Sequence, residues 1–149
     1  MPLLHDPRYK AETVRRVKAL RPDTERRWGR MSVGQMLWHV NQAMEGALGH
    51  IVVDPARPPL PLPRPLLKLL VLNAPWGKGA PTLKQWIPRD DGHDFASERD
   101  RCLRLLEEIA SRPIGDAWPD SPMLGRMRGK DVSRLHAKHL NHHLTQFGV

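Results

Sequence analysis

The sequence predicts an all-α fold, a bundle of four long helices in one domain. Apolar residues recur at helical spacing in four segments, and no segment shows the alternation typical of a strand. The one long interruption is a proline-rich connection between the second and third helices. The 149 residues fit a single domain, residues 1–149, which is long enough to bury a core without disulfides.

The first two helices carry clear boundary signals. The first is predicted over residues 7–20 and is ended by Pro22. For the second, Ser32 followed by Gln35 predicts a capping box, and Gly49 supplies a stop. The apolar face of this second helix consists of Val33, Met36, Leu37, Val40, Met44, Ala47 and Leu48.

The connection that follows is rich in proline. Residues 54–93 hold nine of the fifteen prolines, so no long helix can run through them. Only residues 66–72 are predicted to form a short helix. A connection this long often carries function. It is expected to cross over the bundle, with Trp76 and Trp86 as packing anchors.

The last two helices are predicted over residues 95–111, with Asp94 as a cap, and over residues 132–147, with Asp131 or a neighbour as the cap. Cys102 lies on the inward face of the third helix and is interpreted as a core residue rather than a nucleophile. As the single cysteine, it excludes an intramolecular disulfide and fits a reducing compartment.

The N-terminal residues lack the apolar run of a signal peptide, and no stretch approaches the roughly 20 apolar residues that span a bilayer. A cytoplasmic protein without membrane contact is therefore expected. The net charge of +8 includes basic clusters in residues 10–30 and 126–134. Such clusters can follow phosphates. However, solubility alone accounts for this charge and no reading motif accompanies it, so no nucleic-acid partner is expected. Trp38, opposite the apolar face of the second helix, either meets a partner subunit or is packed by a neighbouring loop.

The last helix is unusually rich in histidine. His136, His139 and His143, with Gln146, form a polar stripe that borders its apolar face, whereas His142 is predicted to point to solvent. His139 and His143 are four residues apart, one turn along the same face. This spacing lets two imidazoles converge on one ion.

A third imidazole is available on the second helix. His39 lies on a shoulder of its apolar face, the same kind of position as the pair on the last helix. Facing helices of a bundle can build a metal site in this way. The metal ligands are thus predicted to be His39, His139 and His143. His136 and Gln146 are candidates for hydrogen-bonding partners of the ligands, and His136 is alternatively a fourth ligand or a solvated residue. Taken alone, a histidine in the position of His39 is more often hydrogen-bonded to backbone than bound to a metal.

Three segments resemble the DinB/YfiT-like superfamily, most closely a branch of small bacterial proteins. They are RWGRMSVGQMLWHVNQAMEGALG (27–49), NAPWGKGAPTLKQW (73–86) and KHLNHHLTQFGV (138–149). The superfamily signature is a histidine on helix two and an H-x3-H pair followed by glutamine on helix four. The positions that match it are His39, His139, His143 and Gln146.

The resemblance implies a DinB-like four-helix bundle of up-down-down-up type, often a homodimer, with a divalent ion such as zinc or nickel at the three histidines. Its characterised relatives include transferases that use low-molecular-weight thiols such as bacillithiol or mycothiol, and some hydrolases or isomerases. Some members keep the bundle without a metal.

The leading functional hypothesis is a metal-dependent enzyme, a thiol S-transferase or a hydrolase, that acts on a small molecule. Three imidazoles leave a position open on the ion, as catalytic sites do. Glu45, two turns beyond His39, is considered as a base, but an ordinary exposed helix glutamate is the favoured interpretation. The alternative function is a non-catalytic binding or interaction protein with a vestigial or empty metal site.

Overall fold

The computed structural model describes residues 2–55, 57–58, 60–80 and 82–149, and within them the fold is entirely helical. Five α-helices, α1 to α5, and one short 3-10 turn follow one another along the chain. Their bounds are α1 Pro7–Ala19, α2 Val33–Leu48, α3 Arg64–Asn73, the 3-10 turn Lys84–Trp86, α4 Phe95–Ser111 and α5 Gly129–Gln146. None of these helices is both long and apolar enough to cross a bilayer.

Helix α2 forms where its local signals predict it. The Ser32 hydroxyl accepts a hydrogen bond from the backbone of Gln35 (3.2 Å), and the Gln35 side chain accepts one from the backbone of Ser32 (2.9 Å). Gly49 ends the helix in the left-handed conformation, with φ of 80°. These caps fix the rotation and length of the helix that carries His39.

The hydrophobic core draws on α1, α2, α4 and α5, and α2 and α4 pack together more extensively than any other pair of described elements. Helix α4 has the predicted bounds, and the Asp94 carboxylate accepts a hydrogen bond from the backbone of Ser97 (2.9 Å). Cys102 is completely buried in this core, and burial raises the pKa of its thiol to about 12. It therefore behaves as a small core residue, as predicted.

Helix α5 begins three residues earlier than predicted, at Gly129 rather than Val132. Asp131 is not the cap. It lies in the first turn, where its carboxylate accepts a hydrogen bond from the backbone of Arg128 (3.1 Å) and meets the Lys68 ammonium at 3.2 Å. A carboxylate stabilises a helix N-terminus both at the cap position and in the first turn. The sequence alone therefore does not distinguish the two, and the prediction of Asp131 as the cap was wrong.

The proline-rich connection folds back over α2 and α5. Its one helix, α3, is longer than the predicted 66–72, because Pro65 fits the first turn of a helix without losing a hydrogen bond. Trp76 donates its indole N–H to the carbonyl of Val71 (2.8 Å). The half-buried ring of Trp38 stacks on His93, which precedes α4, with ring centroids 5.0 Å apart. Packing by a neighbouring loop is thus the reading of Trp38 that the structure supports.

Candidate metal centre

Three histidines from two helices converge between α2 and α5. His39 comes from the middle of α2, and His139 and His143 come from successive turns of α5. One ring nitrogen from each lies within 4.8 Å of the others, and the Nε2 atoms of His39 and His139 are 2.9 Å apart. Nitrogens that share one tetrahedral zinc at about 2.0–2.1 Å lie roughly 3.3 Å from each other. The observed separations bracket this value, so the three histidines could hold a metal ion.

The hydrogen bonds of the other ring nitrogens set the tautomers of two of these histidines. The Nδ1 atom of His39 lies 2.8 Å from the carbonyl oxygen of Trp86. Because a carbonyl can only accept, Nδ1 carries the proton. The neutral ring of His39 therefore directs the lone pair of Nε2 toward the other two histidines.

Gln146 performs the same task for His143. Its Nε2 donates to the carbonyl of Trp28 (2.9 Å), which fixes the orientation of the amide. Its Oε1 then faces the Nδ1 of His143 and accepts a hydrogen bond from it at 2.7 Å. Both His143 and Gln146 are buried. Gln146, predicted as a hydrogen-bonding partner of the ligands, thus contacts His143 directly. This contact leaves the Nε2 of His143 free for a metal.

A glycine makes room for this amide. Gly29 has φ of +84°, and a Cβ at this position would lie 2.5 Å from Nε2 of Gln146. Any other residue would both strain the backbone and push the amide away from His143. Trp28 and Gly29 were not among the predicted site residues. Trp28 contributes only its backbone carbonyl, and Gly29 contributes only the absence of a side chain, so neither is recognised by its residue type.

Burial keeps the three rings neutral. It lowers the pKa of His39 and lowers that of His143 to about 3. Burial, together with charge on the neighbouring histidines, holds the pKa of His139 well below its ordinary value. Imidazoles must be deprotonated to bind a metal, so the site is prepared for a cation at neutral pH.

Two other histidines of α5 lie outside this cluster. His136 is buried, and its Nδ1 has no hydrogen-bond partner within the described residues. It makes no contact that would orient a ligand, so a role as such a partner stays a prediction. His142 was predicted to point to solvent. It is instead half-buried, with its ring centroid 6.1 Å from that of Trp28 and 5.8 Å from that of Trp76.

Glu45, the base considered from sequence, is held elsewhere. Its carboxylate pairs with the guanidinium of Arg101 at 2.9 Å and with the ring of His50 at 3.2 Å. It lines neither of the cavities that adjoin the three histidines. The reading of Glu45 as an ordinary helix glutamate is therefore the one that fits the structure.

Two cavities meet at the histidines. The first, here called the histidine cavity, has a volume of about 370 Å³ and is lined by all three candidate ligands, by His142 and Gln146, and by Arg30 and Lys78. The second, here called the apolar chamber, has a volume of about 320 Å³ and is lined by His139 but not by His39 or His143. Both cavities share the indole rings of Trp76 and Trp86.

Comparison with known proteins gives a family but no activity. No curated protein and no solved structure matches the chain. Residues 7–148, which include every helix and all three converging histidines, match the family described as "Protein of unknown function (DUF1569)". The chain belongs to the DUF1569 family.

Proposed function

We propose that the chain is a metal-dependent enzyme, a thiol S-transferase or a hydrolase that acts on a small molecule, with zinc or nickel bound by His39, His139 and His143. The observation that supports this most strongly is the convergence of three neutral imidazoles at one point beside a cavity. His39 and His143 already have partners at Nδ1, and the ring nitrogens that remain converge on one point, where a bound cation would accept their lone pairs.

We also propose that α1, α2, α4 and α5 form the four-helix bundle of the DinB-like superfamily, in up-down-down-up order, with α3 as an addition in the connection. The all-helical fold and the packing of α1 and α2 against α4 support this assignment. The match of the histidines to the superfamily signature supports it independently.

The charges around the histidine cavity favour the transferase. Arg30 and Lys78 line this cavity, and no aspartate or glutamate does so among the residues described. A divalent ion at the histidines supplies a Lewis acid that lowers the pKa of a bound thiol or water. The two cations would attract an anionic low-molecular-weight thiol and hold its carboxylate. In a hydrolase we assign the role of base to His142, which lines this cavity and is not one of the three proposed ligands.

Metal binding is the first test. The chain, freed of metal with a chelator, is titrated with zinc and with nickel by calorimetry. We expect one ion per chain, with affinity greatly reduced in His139→Ala and His143→Ala while circular dichroism shows that the helices remain. His142→Ala is the matched control on the same helix and should bind metal like the wild type. A wild-type chain that binds neither ion, or a control that loses binding, would contradict the proposal.

Activity is the second test. The zinc-loaded chain is incubated with bacillithiol and monochlorobimane to detect thiol transfer, and with p-nitrophenyl acetate to detect hydrolysis. Thiol transfer that disappears in His139→Ala supports the transferase. Ester hydrolysis alone, lost in the same variant, supports the hydrolase. If zinc is bound but neither reaction is accelerated over a range of thiols and esters, the non-catalytic alternative is favoured.

A further inference from the structure

The apolar chamber is lined by several parts of the chain. Its walls come from α2, α3 and the first half of α5, from residues 74–86 as far as the structure describes them, from the segment 119–127 before α5, and from Val53 and Leu60. Its volume of about 320 Å³ lies within the usual range for small-molecule sites. The proline-rich connection and the helices beside it therefore border a space that is large enough for a ligand.

The lining of the chamber selects for a neutral, apolar occupant. Most of the wall consists of aliphatic and aromatic side chains, such as Ala47 on α2 and Val71 on α3. No lysine or arginine is among the lining residues that the structure describes, and Asp120 is the single carboxylate there. An anion would lose its water without meeting an opposite charge, and a cation would meet only the exposed Asp120, whereas an apolar ligand gains from burial.

One polar group in the wall lacks a partner. His136 is 3 % exposed and lines the chamber, yet its Nδ1 is buried without a hydrogen-bond partner in the described chain. A buried polar atom left unpaired is costly. Nδ1 itself has almost no accessible surface, but the ring borders the chamber, so a small turn of the ring toward a ligand with one donor or acceptor would relieve that cost. Burial lowers the pKa of His136 to about 4, so the ring offered to the ligand is neutral.

The chamber also adjoins the metal centre. His139 lines both cavities, as do Trp76 and Trp86. A molecule whose body fills the chamber can therefore present one end beside His139. An anionic thiol in the histidine cavity would meet it at the shared residue His139.

We propose that the apolar chamber binds the body of the substrate, a neutral and largely apolar molecule with one polar group that hydrogen-bonds to His136. Its reacting end lies next to His139. The idea that this molecule reacts depends on the function proposed above, but the binding itself does not depend on metal.

The test uses N-phenyl-1-naphthylamine, a neutral apolar probe with one N–H group whose fluorescence rises in apolar surroundings. It is titrated into the full chain with zinc and with chelator. Ala47→Leu and Ala74→Leu each place three carbons in the chamber from different elements, and we expect each to weaken binding about tenfold or more. Ala11→Leu, on the exposed face of α1, is the matched control and should bind the probe like the wild type.

His136→Phe separates the hydrogen bond from the filling of space. It should weaken N-phenyl-1-naphthylamine about fivefold but leave the affinity for 1-phenylnaphthalene, which has no N–H, unchanged. The inference is overturned if the wild type does not bind the probe, or if both filled variants bind it as the wild type does. His139→Ala distinguishes the two proposals. If this variant binds the probe but no longer binds zinc, both proposals are supported. If the wild type binds the probe but binds no zinc, only the proposed enzyme is excluded.

Discussion

Gln146 connects the ring of His143 to the loop that precedes α2. Its amide accepts from His143 at 2.7 Å and donates to Trp28 at 2.9 Å, so one side chain fixes both the tautomer and the direction of the ring. Partners of this kind typically contribute a factor of about 10–100 to metal affinity. The site therefore depends on a residue that never touches the ion.

Replacing Gln146 tests this dependence. We expect Gln146→Leu, which can neither accept from His143 nor donate to Trp28, to weaken zinc binding by about 10–100-fold. Gln146→Glu keeps the acceptor for His143 but places a carboxylate oxygen against the Trp28 carbonyl, so it should recover only part of the affinity. Competition with a chromophoric chelator measures both values. Equal affinities for the leucine variant and the wild type would show that the hydrogen bond plays no part in metal binding.

At the scale of residues, helical geometry was informative where a side chain faces the core. The 100° rotation per residue placed His139 and His143 on one face and His39 on a shoulder, and the three do converge. The same geometry failed for His142, because a helical wheel treats every position away from the core as solvent. The segments around Trp28 and Trp76 cover that position, and no local pattern indicates where they pack.

At the scale of elements, helices with strong local caps were predicted most accurately. The bounds of α2 follow from the capping box at Ser32 and from Gly49, and those of α4 from Asp94. The start of α5 was missed because its first residue is Gly129, and glycine is a poor helix former. The reason for this glycine is a tertiary contact that the sequence does not reveal.

That contact gives a prediction for α5. A Cβ at Gly129 would overlap the carbonyl oxygen of Ile114 and lie 2.7 Å from the indole nitrogen of Trp118. Although alanine favours a helix by about 1 kcal/mol over glycine, Gly129→Ala should destabilise the protein by roughly 1–3 kcal/mol. Urea unfolding measures this change. The control is Gly115→Ala, whose Cβ meets nothing within 4 Å and which should leave stability nearly unchanged.

At the scale of the whole molecule, the absence of strand patterns and the four apolar stripes predicted the all-helical fold correctly, since these signals are summed over many residues. The course of the proline-rich connection could not be predicted in the same way. Prolines exclude a long helix but do not say which surface the chain covers. Trp76 and Trp86 were expected to anchor this connection by packing on the bundle. That both residues line two cavities could not be predicted, because it depends on how the connection folds.

Buried histidines couple the stability of the whole molecule to pH. When a folded-state histidine pKa lies below its ordinary value, the unfolded chain takes up the proton first as the pH falls. Stability is then unaffected above the ordinary value of 6.5 and decreases as the pH drops from 6.5 toward the folded-state pKa. His136 is the clearest case, because burial lowers its pKa to about 4 and its Nδ1 has no partner in the described residues.

His136→Leu removes the titratable ring, and with it the dependence of stability on pH that the ring causes. No hydrogen bond at Nδ1 is lost, because Nδ1 has no partner in the described residues. The comparison is made in the presence of a chelator. The difference in the free energy of unfolding between the variant and the wild type should be small at pH 7 and larger at pH 4. Between these values the wild type should lose up to about 3 kcal/mol more stability than the variant, at no more than about 1.4 kcal/mol per pH unit. Urea unfolding at several pH values measures both slopes. Parallel slopes would show that the ring of His136 takes up its proton as easily in the folded chain as in the unfolded one, and that the wall of the apolar chamber is therefore wet.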